Sequence, residues 1–198
     1  WSQLGHGSKE IAVTVVANAG PTLALVADFT ARQAGPRTLV QWRTAHEAGS
    51  VAFLAQMPER AVEHYAMAQT AEPTNARHPL YLAMAQIKLA EMGSKDAVEL
   101  ESSAMASLVR ATLLDPELGE AWGTLAELEL KRNQNDLAAQ HLETALRLQP
   151  EMAKWRYVQA RVLNRQGKPE LAVGVLTSLK PAEQASKPAL KLLGESYG

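Results

Sequence analysis

Residues 121–150 read AWGTLAELELKRNQNDLAAQHLETALRLQP, and this stretch decides the fold. Its small residues Ala138 and Ala145 are seven positions apart, so they share one face of a helix with Leu142 between them. An alanine-lined face with one large residue allows a neighbouring helix to pack closely. An apolar stripe that begins at Trp122 predicts a preceding helix of complementary shape. The stretch therefore predicts two helices that pack against each other.

The same pattern recurs with a period of 34 residues, the distance from Pro116 to Pro150. Other positions related by this period carry residues of the same kind. They are Ala104 and Ala138, Leu108 and Leu142, Ala126 and Ala160, Ala138 and Ala172, and Leu142 and Leu176. One helix pair cannot bury its own apolar stripe, whereas stacked pairs can. The period therefore predicts an all-α fold built from stacked antiparallel helix pairs.

These residues resemble the tetratricopeptide repeat family. The best copy runs through Trp122, Leu125, Ala126, Asn133, Ala138, Leu142, Ala145 and Pro150. It departs from the family pattern at Glu129, where an aromatic residue is usual. The resemblance covers roughly residues 42–198. It implies a right-handed α-solenoid in which the first helix of each pair lines a concave, peptide-binding surface.

The second pair is irregular, because Pro73 and Pro116 are 43 residues apart rather than 34. We therefore expect a longer pair at residues 76–118. The longer pair also gives the chain a weaker resemblance to the periplasmic domains of c-type cytochrome maturation proteins that hold apocytochrome.

We divide the chain into three segments. Residues 1–8 are interpreted as a flexible lead-in or cloning remnant, and residues 9–40 as a degenerate N-terminal helical pair. Residues 41–198 are predicted to be an array of about four helix pairs plus a C-terminal helix. The chain opens at Trp1 rather than at methionine, which suggests a processed form or a piece of a longer protein.

The degenerate pair is the segment with an open alternative. The helical interpretation places one helix at Glu10–Ala19 and another at Pro21–Ala34, stopped by Gly35 and Pro36. The alternative takes the alternating residues Ile11 to Val15 as a strand, because β-branched residues disfavour helices.

Composition argues against several function classes. The chain has no cysteine, so it has no disulfides, thiolate zinc sites or cysteine nucleophiles. Its net charge of −1 lacks the basic excess of a nucleic-acid-binding domain. Its five histidines lack metal-motif spacing, and no phosphate loop or nucleophile elbow is present. We therefore expect no catalytic residues, no metal, no cofactor and no nucleic-acid partner.

The most apolar stretch, residues 11–29, is interrupted by Asn18, Gly20, Pro21 and Asp28. Such a stretch is a poor spanning helix, so we expect no membrane insertion within this chain. The pattern is typical of a bacterial-type soluble domain and leaves the compartment open, cytoplasmic or periplasmic, with any anchor outside the chain.

The first helices of the pairs are predicted to supply a peptide-binding face. Its candidate residues are His46, Ser50, Phe53, Leu80, Met84, Ile87, Lys88, Glu127, Leu130, Lys131, Lys154, Tyr157, Arg161, Asn164 and Arg165. Arg161 and Arg165 are four apart, with Tyr157 four before, a combination suited to an acidic side chain or a C-terminal carboxylate. The alternative is a solvated charged face. The asparagines with which some family members grip a terminal carboxylate are replaced here by Ser50 and Tyr81.

The leading functional hypothesis is a non-catalytic scaffold or adaptor that binds a protein or peptide partner, for assembly or chaperoning of a complex. One alternative is a regulatory or substrate-presenting arm of a larger enzyme, and another is a periplasmic apocytochrome-holding chaperone. Self-association through the end helices is a further alternative, since the stripe Lys191–Tyr197 would leave apolar surface unpaired.

Overall fold

A computed structural model describes residues 26–34 and 37–197 of the chain. Within these ranges a β-hairpin precedes ten helices, the ninth of them a single turn. The elements are β1 (Val26–Ala34), β2 (Arg37–Thr44), α1 (Ala45–Leu54), α2 (Pro58–Ala71), α3 (Arg77–Glu91), α4 (Ala97–Leu114), α5 (Gly119–Lys131), α6 (Asn135–Leu148), α7 (Ala153–Arg165), α8 (Pro169–Thr177), α9 (Pro181–Gln184) and α10 (Lys187–Tyr197).

Helices α1 to α8 form four consecutive pairs within the described residues. The two helices of each pair are joined by a turn that contains one residue of positive φ. These residues are Gln56 at 59°, Gly93 at 87°, Asn133 at 60° and Gly167 at 70°. A left-handed residue just after a helix reverses the chain and satisfies the last carbonyl groups. Glycine adopts this conformation without strain, whereas Gln56 carries a side chain into it.

Each buried cluster joins one pair to the first helix of the next. One cluster combines α1, α2 and α3, and the next combines α3, α4 and α5. A third combines α5, α6 and α7, and the fourth combines α7, α8 and α10. Helix α10 therefore takes the place of the first helix of a further pair. Because every first helix from α3 to α7 completes two clusters, the pairs stack into a continuous solenoid.

The 34-residue period is the period of the core. Ala104, Ala138 and Ala172 have no exposed surface, and the large residues four positions later are almost fully buried as well. Of the helices that the structure describes, α4 is the longest, with 18 residues against 14 in α2 and in α6. The helical-repeat fold class is thus confirmed over α1 to α10.

The predicted helix Pro21–Ala34 is wrong over residues 26–34, the part of it that the structure describes. Residues Val26–Ala34 form β1, which pairs antiparallel with β2 and places Ala34 opposite Arg37. Gly35 and Pro36, interpreted above as a helix stop, lie between the two strands in the sequence. Cross-strand hydrogen bonds satisfy this backbone, and such bonds depend on a partner segment rather than on local helical pattern.

The start of the helical array also differs from the predicted residue 41, because β2 continues to Thr44. Thr44 then caps α1: its hydroxyl accepts a hydrogen bond from the Glu47 N–H at 3.2 Å, and the Glu47 carboxylate accepts one from the Thr44 N–H at 2.9 Å. This reciprocal capping fixes where the helix begins. The predicted helix Glu10–Ala19 and its strand alternative lie outside the described residues.

Helices α5 and α7 approach closely where Gly123 faces Trp155. A Cβ at Gly123 would lie 2.6 Å from three atoms of the indole ring, well inside contact distance. Trp155 is only 1% exposed, and its Nε1–H donates to Gln149 Oε1 at 2.8 Å. The ring is therefore held in place, with its polar edge satisfied.

We expect Gly123→Ala to lower the free energy of unfolding by about 1–3 kcal/mol, because the added methyl overlaps a ring that cannot move aside. Gly174→Ala in α8 is the matched control, since its Cβ would meet no atom of the described residues within 4 Å. There the better helix propensity of alanine should raise the free energy of unfolding by about 0.5–1 kcal/mol. Urea unfolding followed by circular dichroism measures both, and equal effects of the two substitutions would contradict the packing argument.

Glu129, the departure from the family pattern, is buried in α5 and pairs with His141 of α6. Its two carboxylate oxygens lie 2.9 and 2.8 Å from His141 Nδ1, and Trp122 packs against the imidazole with ring centroids 5.2 Å apart. Burial raises the pKa of Glu129, although the hydrogen bond from His141 opposes the rise. The aromatic position of the family is thus replaced by a hydrogen-bonded polar pair.

A raised pKa means that the folded chain keeps a proton on Glu129 that the unfolded chain has released. The free energy of unfolding should therefore fall as the pH rises from the ordinary glutamate value of 4.5 through the raised one. Glu129→Gln has no proton to release, so its free energy of unfolding should not fall with pH for this reason. The difference in stability between the variant and the wild type should therefore favour the variant more at about pH 7.5 than at about pH 4.5. Urea unfolding at both pH values tests this, with the exposed Glu143→Gln as control. A relative stability that is constant or falls with pH would contradict it.

Candidate functional site

The first helices of the pairs line an open groove with two adjoining compartments. The first has a volume of about 480 Å³. It is lined by Phe53, Met84, Ile87, Lys88, Glu91, Thr124, Glu127, Leu128, Lys131, Lys154 and Arg161. The second has a volume of about 580 Å³. It is lined by Glu127, Lys154, Tyr157, Val158, Arg161, Asn164, Arg165, Pro188, Lys191, Leu192 and Glu195.

Three charged residues line both compartments, and we call them the waist: Glu127 of α5 with Lys154 and Arg161 of α7. Lys154 Nζ lies 3.0 Å from one oxygen of Glu127, and Arg161 Nη1 lies 3.6 Å from the other. All three side chains remain partly open to solvent, with exposed fractions of 37% for Glu127, 49% for Lys154 and 39% for Arg161. The waist is therefore an accessible ion-pair cluster at the middle of the groove.

Lys154 has a second support besides Glu127. Its ammonium nitrogen lies 5.0 Å from the ring centroid of Trp155, a distance at which the aromatic face attracts a cation. Since Gly123 fixes that ring, the packing between α5 and α7 also positions one charge of the groove.

Other predicted polar residues are held at the edges of the groove. Lys131 pairs with Glu101 of the long helix α4. Arg165 Nη1 donates to Asn133 Oδ1 at 2.7 Å. Asn164 accepts a hydrogen bond from the Ser196 hydroxyl at 3.0 Å, which ties α7 to α10.

Tyr157 lines the second compartment, but its hydroxyl is engaged by the fold. It donates to the backbone carbonyl of Glu183 at 3.0 Å and lies 2.9 Å from the Ser186 hydroxyl. Tyr157 therefore anchors the segment between α8 and α10. The predicted grouping of an aromatic with Arg161 and Arg165 is present, while the phenol itself is taken by these internal bonds.

Two of the predicted groove residues are in the core instead. Leu80 and Leu130 are each 1% exposed and belong to buried clusters. Their helices turn these positions towards the neighbouring helices rather than towards the groove. The apolar lining is supplied by Phe53, Met84 and Ile87, together with the edge of Leu128.

His46 and Ser50 lie outside both compartments, where α1, α2 and α3 meet. The imidazole of His46 packs against Tyr65, His78 and Tyr81, with ring centroids 5.8, 5.2 and 5.4 Å away. Burial and the neighbouring His78 lower the pKa of His46. The Ser50 hydroxyl donates to the His46 carbonyl at 3.1 Å. This cluster joins the first pair to the second.

Sequence reasoning missed the residues that α10 contributes. Adding the 34-residue period to Lys154, Tyr157 and Arg161 leads to Pro188, Lys191 and Glu195, which all line the second compartment. The 34-residue period therefore indicates these positions. Extending the concave face by one period into α10 would have predicted Pro188, Lys191 and Glu195 as groove residues.

The groove differs in charge from the chain as a whole. Six cations line it among the described residues, Lys88, Lys131, Lys154, Arg161, Arg165 and Lys191, against the three carboxylates Glu91, Glu127 and Glu195. The chain carries a net charge of −1. A local excess of positive charge over apolar walls favours an acidic ligand with apolar groups.

Over residues 26–34 and 37–197 there is no group of three or more histidine and carboxylate side chains placed to hold a metal ion. In the same part of the chain, no helix is both long and apolar enough to cross a bilayer.

Comparison with known proteins agrees with this architecture. Residues 124–187 match the model of the tetratricopeptide repeat family. No curated protein sequence gives a significant match. The fold is similar to that of TTC0263, a thermophilic tetratricopeptide-repeat protein of Thermus thermophilus, with 17% identity, 77% of this chain and 78% of that chain covered, and a TM-score of 0.62.

Two further structures show the same fold. The MamA protein shares 20% identity over 77% of this chain and 79% of its own, with a TM-score of 0.58. The tetratricopeptide domain of Arabidopsis OM64 shares 20% identity over 60% of this chain and 90% of its own, with a TM-score of 0.53. Together with the 34-residue period of the core and the shared first helices, these matches show that the chain has the fold of tetratricopeptide-repeat proteins.

Proposed function

We propose that the chain is a non-catalytic scaffold that binds an acidic, partly apolar segment of a partner protein in the groove. The observation that carries the proposal is the twofold excess of cations over carboxylates in a groove walled by Phe53, Met84 and Ile87. Apolar contacts supply binding energy and desolvation, while the cations select and orient the acidic groups.

The groove also offers a partner a longer surface than either compartment alone. It is continuous from α1 to α10, because the waist belongs to both compartments. An extended segment that lies along it passes apolar side chains at one end, Arg161 at the waist, and Arg165 and Lys191 at the other end. A peptide several residues long can therefore engage both halves at once.

A library of random dodecapeptides displayed on phage tests the proposal even though the partner is unidentified. Selection on the wild-type chain should enrich peptides that combine aspartate or glutamate with leucine, methionine or aromatic residues. Enrichment of basic peptides, or of none at all, would count against an acidic partner. A single-stranded oligonucleotide that competes as well as the selected peptide would indicate general anion binding instead.

Removing the cations of the waist should weaken binding of the selected acidic peptide. We expect Lys154→Ala with Arg161→Ala to raise its Kd by about tenfold, equivalent to about 1.4 kcal/mol. The effect should shrink as the salt concentration rises from about 50 to about 300 mM, since screening weakens the lost attraction. Fluorescence anisotropy measures the Kd, and thermal unfolding confirms that the variants are folded.

The matched control is Arg147→Ala with Arg156→Ala, which removes two cations from the cleft between α6 and α7 outside the groove. If the control pair weakens binding as much as the waist pair, the acidic groups do not bind at the waist.

A further inference from the structure

We propose that Glu127 is an internal stand-in for the partner's carboxylate, which occupies the cations of the waist in the free protein and so limits binding to strongly acidic segments. This inference rests on the proposed function and names a residue that determines the specificity of the same groove. Glu127 is the one carboxylate, among the described residues, that lines both compartments.

The geometry of the waist is that of a bound acid. One oxygen of Glu127 takes the Lys154 ammonium at 3.0 Å, and the other lies 3.6 Å from the Arg161 guanidinium. Each oxygen therefore has its own cation, as the two oxygens of a ligand carboxylate would. All three groups are more than a third exposed, so solvent and a partner can reach them.

The cations do not need Glu127 to stay in place. Lys154 rests over the ring of Trp155, which is buried and hydrogen-bonded to Gln149. Arg161 extends from the middle of α7, a helix whose other faces are packed in two core clusters. Removing the carboxylate should therefore leave a basic site that is still formed.

An incoming carboxylate must compete with Glu127 for these cations. Either the two acids share the waist and repel each other, or the Glu127 side chain swings away and gives up two ion pairs. In both cases Glu127 lowers the affinity for the partner. The affinity falls by a larger fraction for a segment that carries one carboxylate than for a segment that carries several. Glu127 thus acts as a specificity determinant.

The other two carboxylates of the groove provide the contrast. Glu91 lines only the first compartment and Glu195 only the second. Glu195 lies 3.8 Å from Lys191 on its own helix, an exposed pair that leaves the waist untouched. Glu195→Gln therefore removes the same charge from the same groove without opening the waist.

The test compares the wild type with Glu127→Gln and Glu195→Gln, using the phage library and fluorescence anisotropy of the acidic peptide that it yields. Glutamine keeps the size of Glu127 but not its charge, and it retains only one of the two acceptor oxygens. We expect Glu127→Gln to bind the peptide about tenfold more tightly, and Glu195→Gln to change the Kd by less than about threefold. Combining Glu127→Gln with Lys154→Ala and Arg161→Ala should abolish the gain.

The outcomes separate this inference from the proposed function. If the wild type binds acidic peptides but Glu127→Gln binds them equally or less tightly, the stand-in role is wrong and the groove function remains. If only Glu127→Gln yields acidic peptides, Glu127 excludes them from the wild-type groove altogether, and both the proposed function and the selection inferred here are contradicted. If neither chain selects acidic peptides, both proposals fall. Equal gains for Glu127→Gln and Glu195→Gln would reduce the effect to net charge and overturn the inference.

Discussion

The close approach of α5 and α7 at Gly123 is the constraint on which the groove depends. Only a residue without a side chain lets the Trp155 ring lie against the α5 backbone. The buried ring in turn supports the Lys154 ammonium, and Lys154 with Arg161 flanks Glu127. A packing requirement in the core therefore determines where the charges of the binding surface lie. This connection explains why core and site cannot be separated in a solenoid of this size.

Each of the first helices α3, α5 and α7 packs against three neighbouring helices at once. Two of its faces contribute to successive buried clusters, and the remaining face is open to the groove. Adjacent residues therefore lie in different environments: Leu130 is almost fully buried, while Lys131 beside it lines the groove. The alanines of the second helices make this sharing feasible, because small residues let three helices meet around one large side chain.

This arrangement also explains what could be predicted from the sequence. The 34-residue spacing reflects core packing, so it identified Ala138, Leu142 and the helices around them correctly. A period gives helix faces only to within a residue, and for that reason Leu80 and Leu130 were assigned to the wrong face. The hairpin at residues 26–44 depends on pairing between two segments, which a helical pattern does not reveal.

The ion pairs of the waist could not be predicted from the sequence, for a different reason. Glu127, Lys154 and Arg161 were all assigned to the concave face, but their mutual contacts depend on side-chain conformations across two helices. The sequence predicted that Arg161 and Arg165 would bind an acidic group, whereas in the structure Arg161 already pairs with Glu127. This difference turns a simple electrostatic attraction into a competition, and it makes selectivity a property of Glu127 as much as of the cations.

We place the partner in the groove that runs from α1 to α10. Methyl-labelled methionine NMR tests it directly, since Met84 lines the first compartment while Met67 is exposed on α2 outside both compartments. Titration of the full chain with the selected acidic peptide should shift or broaden the Met84 methyl signal and leave that of Met67 unchanged. A response at Met67 with Met84 unaffected would contradict the account, because the peptide would then bind elsewhere on the solenoid.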